Sequence, residues 1–178
     1  MALTLVKETG AVVAGANSYA NAADGDAYHE GHLYATAWTG ATTGKKEAAL
    51  VMATRLIDAL FQFNGLRVSS GQALQWPRFD CPDPDRNDGL GAPGLVESTV
   101  VPPAVVQAAI ETARALIVED RTGNPVGEGL KFQSLGDLQQ SFDKADRRPV
   151  LPRVALGMLA KLGRSLAGTS GTVRLVRT

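Results

Sequence analysis

The sequence predicts a mainly α protein: a small helical bundle with a β-hairpin insertion and extended N- and C-terminal arms. Three observations predict it. The stretch from Lys45 to Phe63 is apolar except for a stripe of polar residues at helical spacing. Pro102 to Asp120 repeats apolar residues at steps of three and four behind a proline pair. Residues 130–142 alternate in polarity on both sides of Gly136-Asp137, the pattern of two strands and a tight turn. A chain of 178 residues, 44% of them hydrophobic, buries one substantial core. One helical domain over 1–166, with the hairpin at about 130–142, and an extended arm over 167–178 are therefore expected.

Taken in order, residues 3–13 read as a short apolar strand or arm that turns at Thr9-Gly10. Asn21 caps a first helix, with Asp24 and Asp26 near its start where the helix dipole favours acids, running to about Gly31. Thr39 to Gly44 breaks the pattern. In the second helix Glu47, Thr54, Asp58 and Gln62 share one stripe, with Arg55 beside it. The apolar face, including Leu50, Leu56, Ile57, Phe61 and Phe63, is wider than a surface helix needs, so this helix is central in the core or sandwiched between subunits. Asn64-Gly65 tolerates left-handed backbone and ends it.

Ser69 to Gln72 has capping-box spacing and predicts one helical turn leading into Trp76-Pro77. Proline at 77 directs Trp76 out in an extended conformation. Phe79 to Val100, with Pro82, Pro84, Pro93, several glycines and four aspartates, reads as a long loop. In the helix from Pro102 to about Asp120, Val106, Ile110, Ala113 and Ile117 face away from Gln107, Glu111, Arg114 and Arg121 and should pack on the second helix. A closing helix over Pro152 to Leu166 carries Arg153, Lys161 and Arg164 on one face. A Gly/Ser/Thr hinge then precedes an extended Val173-Arg174-Leu175-Val176-Arg177.

Net charge is zero but unevenly spread. Residues 141–178 carry 8 basic and 2 acidic side chains, against 10 and 16 in the preceding 140. The C-terminal part therefore faces nucleic acid, an acidic protein surface, or the acidic part of another copy. The basic face comprises Arg147, Arg148, Arg153, Lys161 and Arg164. A single cysteine, Cys81, excludes an intramolecular disulfide and reads as a plain buried or loop thiol. The N-terminus lacks the basic flank and apolar run of a signal peptide, and no window approaches the roughly 18 apolar residues of a membrane span. A soluble protein with no membrane partner is expected.

No catalytic, cofactor or metal site is expected, and the chain reads as a non-enzyme. His29 and His32 stand three apart with Gly31 between them, one short of the zinc-protease spacing, and read as exposed histidines at a helix end. Asp80, Asp83, Asp85 and Asp88 lack the glycine and closing glutamate of a calcium loop and read as a solvated acidic segment. Trp38, Trp76 and Phe132 are the aromatics suited to stacking on single-stranded nucleic acid, and none is interleaved with basic residues.

Four groups of residues carry a family resemblance: Gly15-Ala16-Asn17-Ser18-Tyr19, Asp26-Ala27-Tyr28, the alanine-rich long helix, and the run Gln72-Ala73-Leu74-Gln75-Trp76-Pro77-Arg78. Together, over most of residues 10–165, they resemble the head-tail connector (adaptor, head completion) proteins of tailed phages, whose members often carry the description DnaT-like single-stranded DNA-binding protein. The resemblance implies a ring, typically of twelve copies, beneath the portal at the capsid vertex. Its partners would be other copies, the portal, the next neck, stopper or tail-completion protein, and double-stranded DNA passing without sequence specificity. It implies that Arg174, Leu175, Val176 and Arg177 form a portal-docking arm. Trp76, Pro77 and Arg78 would anchor their turn to the core or to a neighbouring subunit, and the aspartates at 80, 83, 85 and 88 would line the channel or meet the next ring. The location implied is the virion, with assembly in the host cytoplasm.

Two other classes fit the residues. A single-stranded DNA-binding replication accessory protein would use the basic face with exposed aromatics. A helical scaffold would use the wide apolar helix for oligomerisation alone.

Overall fold

The computed structural model describes residues 3–87, 89, 93–123, 132–135, 138–141 and 148–166. Among these are five helices and four two-stranded antiparallel sheets, so the fold is mixed α/β and not the mainly α bundle expected. Helices α1 (Ala22–His29), α2 (Thr36–Thr39) and α3 (Thr43–Leu60) lead into strands β1 (Phe61–Phe63), β2 (Leu66–Arg67), β3 (Arg78–Phe79), β4 (Pro82–Asn87) and β5 (Pro93–Leu95). Helix α4 (Pro103–Val118), strands β6 (Phe132–Leu135) and β7 (Leu138–Ser141), helix α5 (Arg153–Leu159) and strand β8 (Gly163–Ser165) follow.

Helices α3 and α4 pack against each other, and α5 also packs on α4. Ala49 and Ala53 on α3, with Ala108, Ala109 and Ala113 on α4, keep the buried faces of both helices narrow. One apolar cluster surrounds Trp76, Phe61, Phe63 and Ile57 and reaches Val105, Leu159 and Leu162; a second surrounds Trp38, Leu50 and Ile110. Asn21 caps α1 in a full capping box with Asp24, as the sequence predicts, and Pro103 opens α4.

Strand content accounts for the main departures. The second helix stops at Leu60 because Phe61 turns extended (φ −128°, ψ 127°). From there Phe61 and Phe63 point inward and Gln62 outward, a period-two pattern inside a segment that also fits a helix. Its partner is β8, in the register Phe61 with Ser165 and Phe63 with Gly163. The closing helix therefore ends at Leu159 and not at Leu166. A Cβ on Gly163 would lie 2.1 Å from the Gln62 carbonyl oxygen, so the close approach of β8 to β1 requires glycine there.

The segment expected as a long loop holds β3, which pairs with β2, and the β4–β5 hairpin. The helical turn expected at Ser69 is a plain turn, although Gln72 Oε1 does accept the Ser69 N–H at 2.9 Å as the capping-box spacing suggests. Strands β6 and β7 pair in the register Leu135 with Leu138, which leaves two residues between them, the hairpin expected. The short helix α2 was not anticipated. The expected arm residues Arg174, Leu175, Val176 and Arg177, together with Asp88 and Arg147, lie outside the described residues.

Candidate functional site

Two of the residue groups that stand out in the sequence, 15–19 and 72–78, meet in one buried polar network. Asn17 fixes the N-terminal segment, accepting the Val6 N–H at 2.8 Å and donating to the Thr4 carbonyl at 2.8 Å. Two residues on, Tyr19 is fully buried and its hydroxyl donates to Asp58 Oδ1 at 2.6 Å. The Gln75 N–H donates to Asp58 Oδ2 and to the Tyr19 oxygen, each at 3.1 Å, and the Trp76 N–H reaches the same Tyr19 oxygen at 3.3 Å. Gln72 Nε2 donates to the carbonyls of Leu74 (2.8 Å) and Pro77 (3.0 Å). Tyr19, Asp58 and the 72–78 segment are thus one unit drawn from three parts of the chain.

Within that segment Trp76 and Pro77 are buried, and the Trp76 ring meets Phe63 edge-on at 5.5 Å. Arg78, 7% exposed, donates to the carbonyls of Asn64 (2.8 Å), Gly65 (2.7 Å) and Gln75 (3.0 Å) and to Gln75 Oε1 (3.0 Å). A guanidinium suits this position because its fixed fork can serve several carbonyls at once. The polar stripe of α3 accordingly points partly inward: Thr54 Oγ1 accepts the Tyr19 N–H at 3.2 Å, and Asp58 is the acceptor hub.

Burial pushes the Asp58 carboxyl up to about 6, against the opposing pull of Tyr19, the Gln75 N–H, Arg78 and Arg67. Burial and the neighbouring carboxylate raise the Tyr19 phenol well above its ordinary value. With a folded pKa above the unfolded value of 3.8, the native state binds the extra proton. Asp58 therefore contributes stability at acid pH that is lost as pH rises through about 6. Two units correspond to roughly 3 kcal/mol at most. We expect the difference in unfolding free energy between wild type and Asp58→Asn to change by about 2–3 kcal/mol between pH 4 and pH 7.5. Urea titrations of both proteins at each pH check this. His29, whose pKa burial lowers, titrates with the opposite sign, but it is common to both chains and cancels from the difference.

A second polar cluster lies under α1. His29, expected to be exposed, is 3% exposed, and neither ring nitrogen has a hydrogen-bond partner among the described residues. Its ring packs against Tyr28, Trp38 and His32, all within 5.4 Å. Glu111, placed by periodicity on the polar face of α4, is also buried, bonded to Arg114 at 2.7 Å and 3.5 Å from His32 Nε2. Helix α4 is covered on more than one side, which a single-face reading misses. Asp26 accepts the Trp38 indole N–H and binds Lys46, each at 2.7 Å, so Trp38 is sealed in the core.

The surface carries a cleft of about 450 Å³ between the β4–β5 hairpin, the start of α4 and the end of α5. Val96, Val100, Pro103, Ala104, Met158 and Leu162 give it an apolar floor, and Asp83, Asp85, Arg86, Glu97 and Lys161 ring it. Ion pairs Arg86–Glu97 and Lys161–Asp85 tie the rim. Asp80 sits in a left-handed backbone conformation (φ 53°) just before it.

The described residues of the expected basic face have separate partners. Arg148 pairs with Glu119 at the C-terminal end of α4, whereas Lys161 stands at the cleft by its N-terminal end. Arg164 bonds the Gln62 side chain, and exposed Arg153 starts α5. Both candidate stacking tryptophans are fully buried. Among the described residues, no group of three His, Cys, Asp or Glu side chains is placed to hold a metal ion, and no helix is long and apolar enough to cross a membrane. Cys81 is buried, and burial raises its thiol pKa.

A family model described as "Putative DnaT-like ssDNA binding protein" matches residues 3–178. The chain belongs to this DnaT-like family. No curated protein and no solved structure matches it. In this DnaT-like family member, Tyr19, Tyr28, Trp76 and Arg78 all have packing or hydrogen-bonding partners inside the fold. Sequence reasoning missed Tyr19, Asp58, Gln72 and Gln75 as a network. The available signal was Asp58, the one carboxylate in the second half of that helix, next to Ile57 and Leu56.

Proposed function

We propose that this protein is a structural subunit that assembles into a ring, of twelve copies, between the portal at a phage capsid vertex and the neck or tail, around the channel through which DNA leaves. The reading starts from the resemblance of the motifs at 15–19, 26–28 and 72–78 to connector proteins. The observation that carries it is the burial of Tyr19, Gln72, Leu74, Trp76 and Arg78 from the motifs at 15–19 and 72–78, which hold the fold together. The role is mechanical and includes no catalytic step. A conduit must let DNA slide, since each phosphate contact adds salt-sensitive affinity, and a chain of zero net charge whose Arg148 and Lys161 are paired with acids suits it. The arm at Arg174–Arg177 would dock on the portal.

The family's description favours a second reading, a replication accessory protein that binds single-stranded DNA. Its phosphate contacts would come from Arg148, Arg153, Lys161 and Arg164. Trp38 and Trp76, two of the three aromatics suited to stacking, are fully buried and cannot serve as its stacking platform.

Quantitative mass spectrometry of purified particles, calibrated on the capsid protein, separates the two. About a dozen copies per particle are expected for a connector ring. Absence from the particle, together with oligonucleotide binding that weakens steeply with salt, would replace the ring by the replication role.

A further inference from the structure

Helix α1 buries only two of its residues, Gly25 and His29. Gly25 lies so close to the Trp38 indole that a Cβ there would fall 2.2 Å from its Cζ2. His29, four residues on and on the same face, is therefore the one side chain that anchors α1 in the core. It is an unusual anchor. A neutral imidazole carries one N–H and one lone pair, and here Nδ1 and Nε2 are both shut off from water with no partner among the described residues. A leucine would fill the space without burying unmatched polar atoms.

The surroundings do not welcome a proton on that ring. On its own helix, Asp26 already accepts the Trp38 indole N–H and binds Lys46 of α3. On α4, Glu111 is held by Arg114, with His32 Nε2 3.5 Å away and the Tyr28 hydroxyl bonded to it. Both nearby carboxylates are thus matched by cations, and Arg114 and His32 stand close enough to oppose a further positive charge. An imidazolium would bring two unmatched N–H groups and a charge into a dry site, so a proton favours any conformation in which the ring reaches water. The α1–α2 region can open without the rest. Trp38 shares one apolar cluster with Leu50 and Ile110, whereas Trp76 centres the other. The ion pairs Asp24–Lys7 and Asp26–Lys46 that also tie α1 down are partly exposed and contribute little.

We propose that His29 is an acid-released latch: on taking up a proton its ring leaves the pocket, and α1 and α2 lift off α3 and α4 while the Trp76 core stays folded. Burial holds the His29 imidazole below its ordinary value of 6.5 in the closed form. The latch is therefore fully closed above that pH and loses ground as pH falls through it, because the open form binds the proton first. Between pH 7.5 and pH 5.5 the open population grows by up to about tenfold, the ratio set by a group titrating at 6.5 in the open form alone.

Amide hydrogen exchange of the full chain at pH 7.5 and pH 5.5, each corrected for the intrinsic rate, tests it. Residues 22–40 are expected to lose protection severalfold, at most about tenfold, at the lower pH, while residues 103–118 keep theirs. His29→Leu is expected to abolish that response and His32→Gln to leave it in place. Unchanged protection of 22–40 in wild type overturns the latch, as does an equal response in His29→Leu. So does a response that only His32→Gln removes, and so does loss of protection across the whole chain at once, which is general acid unfolding. If His29→Leu does not fold, the His29 ring is titrated by NMR in wild type. Proton uptake with 22–40 still protected overturns the proposal, and uptake that coincides with their loss of protection supports it.

Discussion

Trp76→Ala is expected to lower the unfolding free energy by about 3–5 kcal/mol, the range for deleting a buried aromatic whose surroundings cannot collapse. The indole is fully buried, edge-on to Phe63 and within the cluster that also holds Phe61, Ile57 and Leu159. Its neighbours come from α3, β1 and α5, so a cavity there loosens elements far apart in the chain. The Trp76 Nε1 proton has no partner among the described residues, which separates two contributions. Trp76→Phe loses volume but also removes an unmatched donor, a cost on the order of 1–3 kcal/mol when left in place. We therefore expect Phe to recover most of the loss caused by Ala. Chemical denaturation of the three proteins measures it; equal losses for Phe and Ala would mean that the indole N–H is satisfied.

Arg78→Met should be comparably severe, about 3–5 kcal/mol. The methionine keeps much of the stem but leaves the carbonyls of Asn64, Gly65 and Gln75 without their donor. Bonds to a charged donor contribute roughly 1.5–3 kcal/mol each, and carbonyls left buried and unpaired add to the loss. Arg78→Lys retains the charge but cannot span the three carbonyls, so it should fall between Met and wild type. A lysine variant as stable as wild type would show that charge, not the fork, matters here.

Much of the helical framework is legible in the sequence for clear reasons. Asn21 with Asp24 makes a capping box, prolines open α4, and apolar spacing marks α3 and α4. The hairpin of β6 and β7 is legible because alternation on both sides of a two-residue turn has few other meanings. What hides is structure that depends on remote partners. Phe61-Gln62-Phe63 is strand only because Gly163–Ser165 lies beside it, and locally it extends a helical pattern equally well. The β4–β5 hairpin hides among prolines and aspartates that ordinarily signal a loop. At the candidate site, Trp76 and Arg78 stand out by motif, whereas their dependence on Tyr19 and Asp58 spans separations of up to 57 residues that no local pattern carries. His29 misleads for a related reason: its burial comes from Trp38 folding back over α1.

The pairing of β1 with β8 also bears on synthesis. Gln62 and Arg164, opposite each other in that ladder and joined by their side chains, are 102 positions apart. A nascent chain emerging from the ribosome can form α1 to α4 early, yet β1 keeps an unpaired edge until residues 163–165 have left the exit tunnel. Emergence of residues 163–165, more than any earlier step, closes this sheet, and a message truncated before Gly163 yields a product with an open β1 edge that is prone to aggregate.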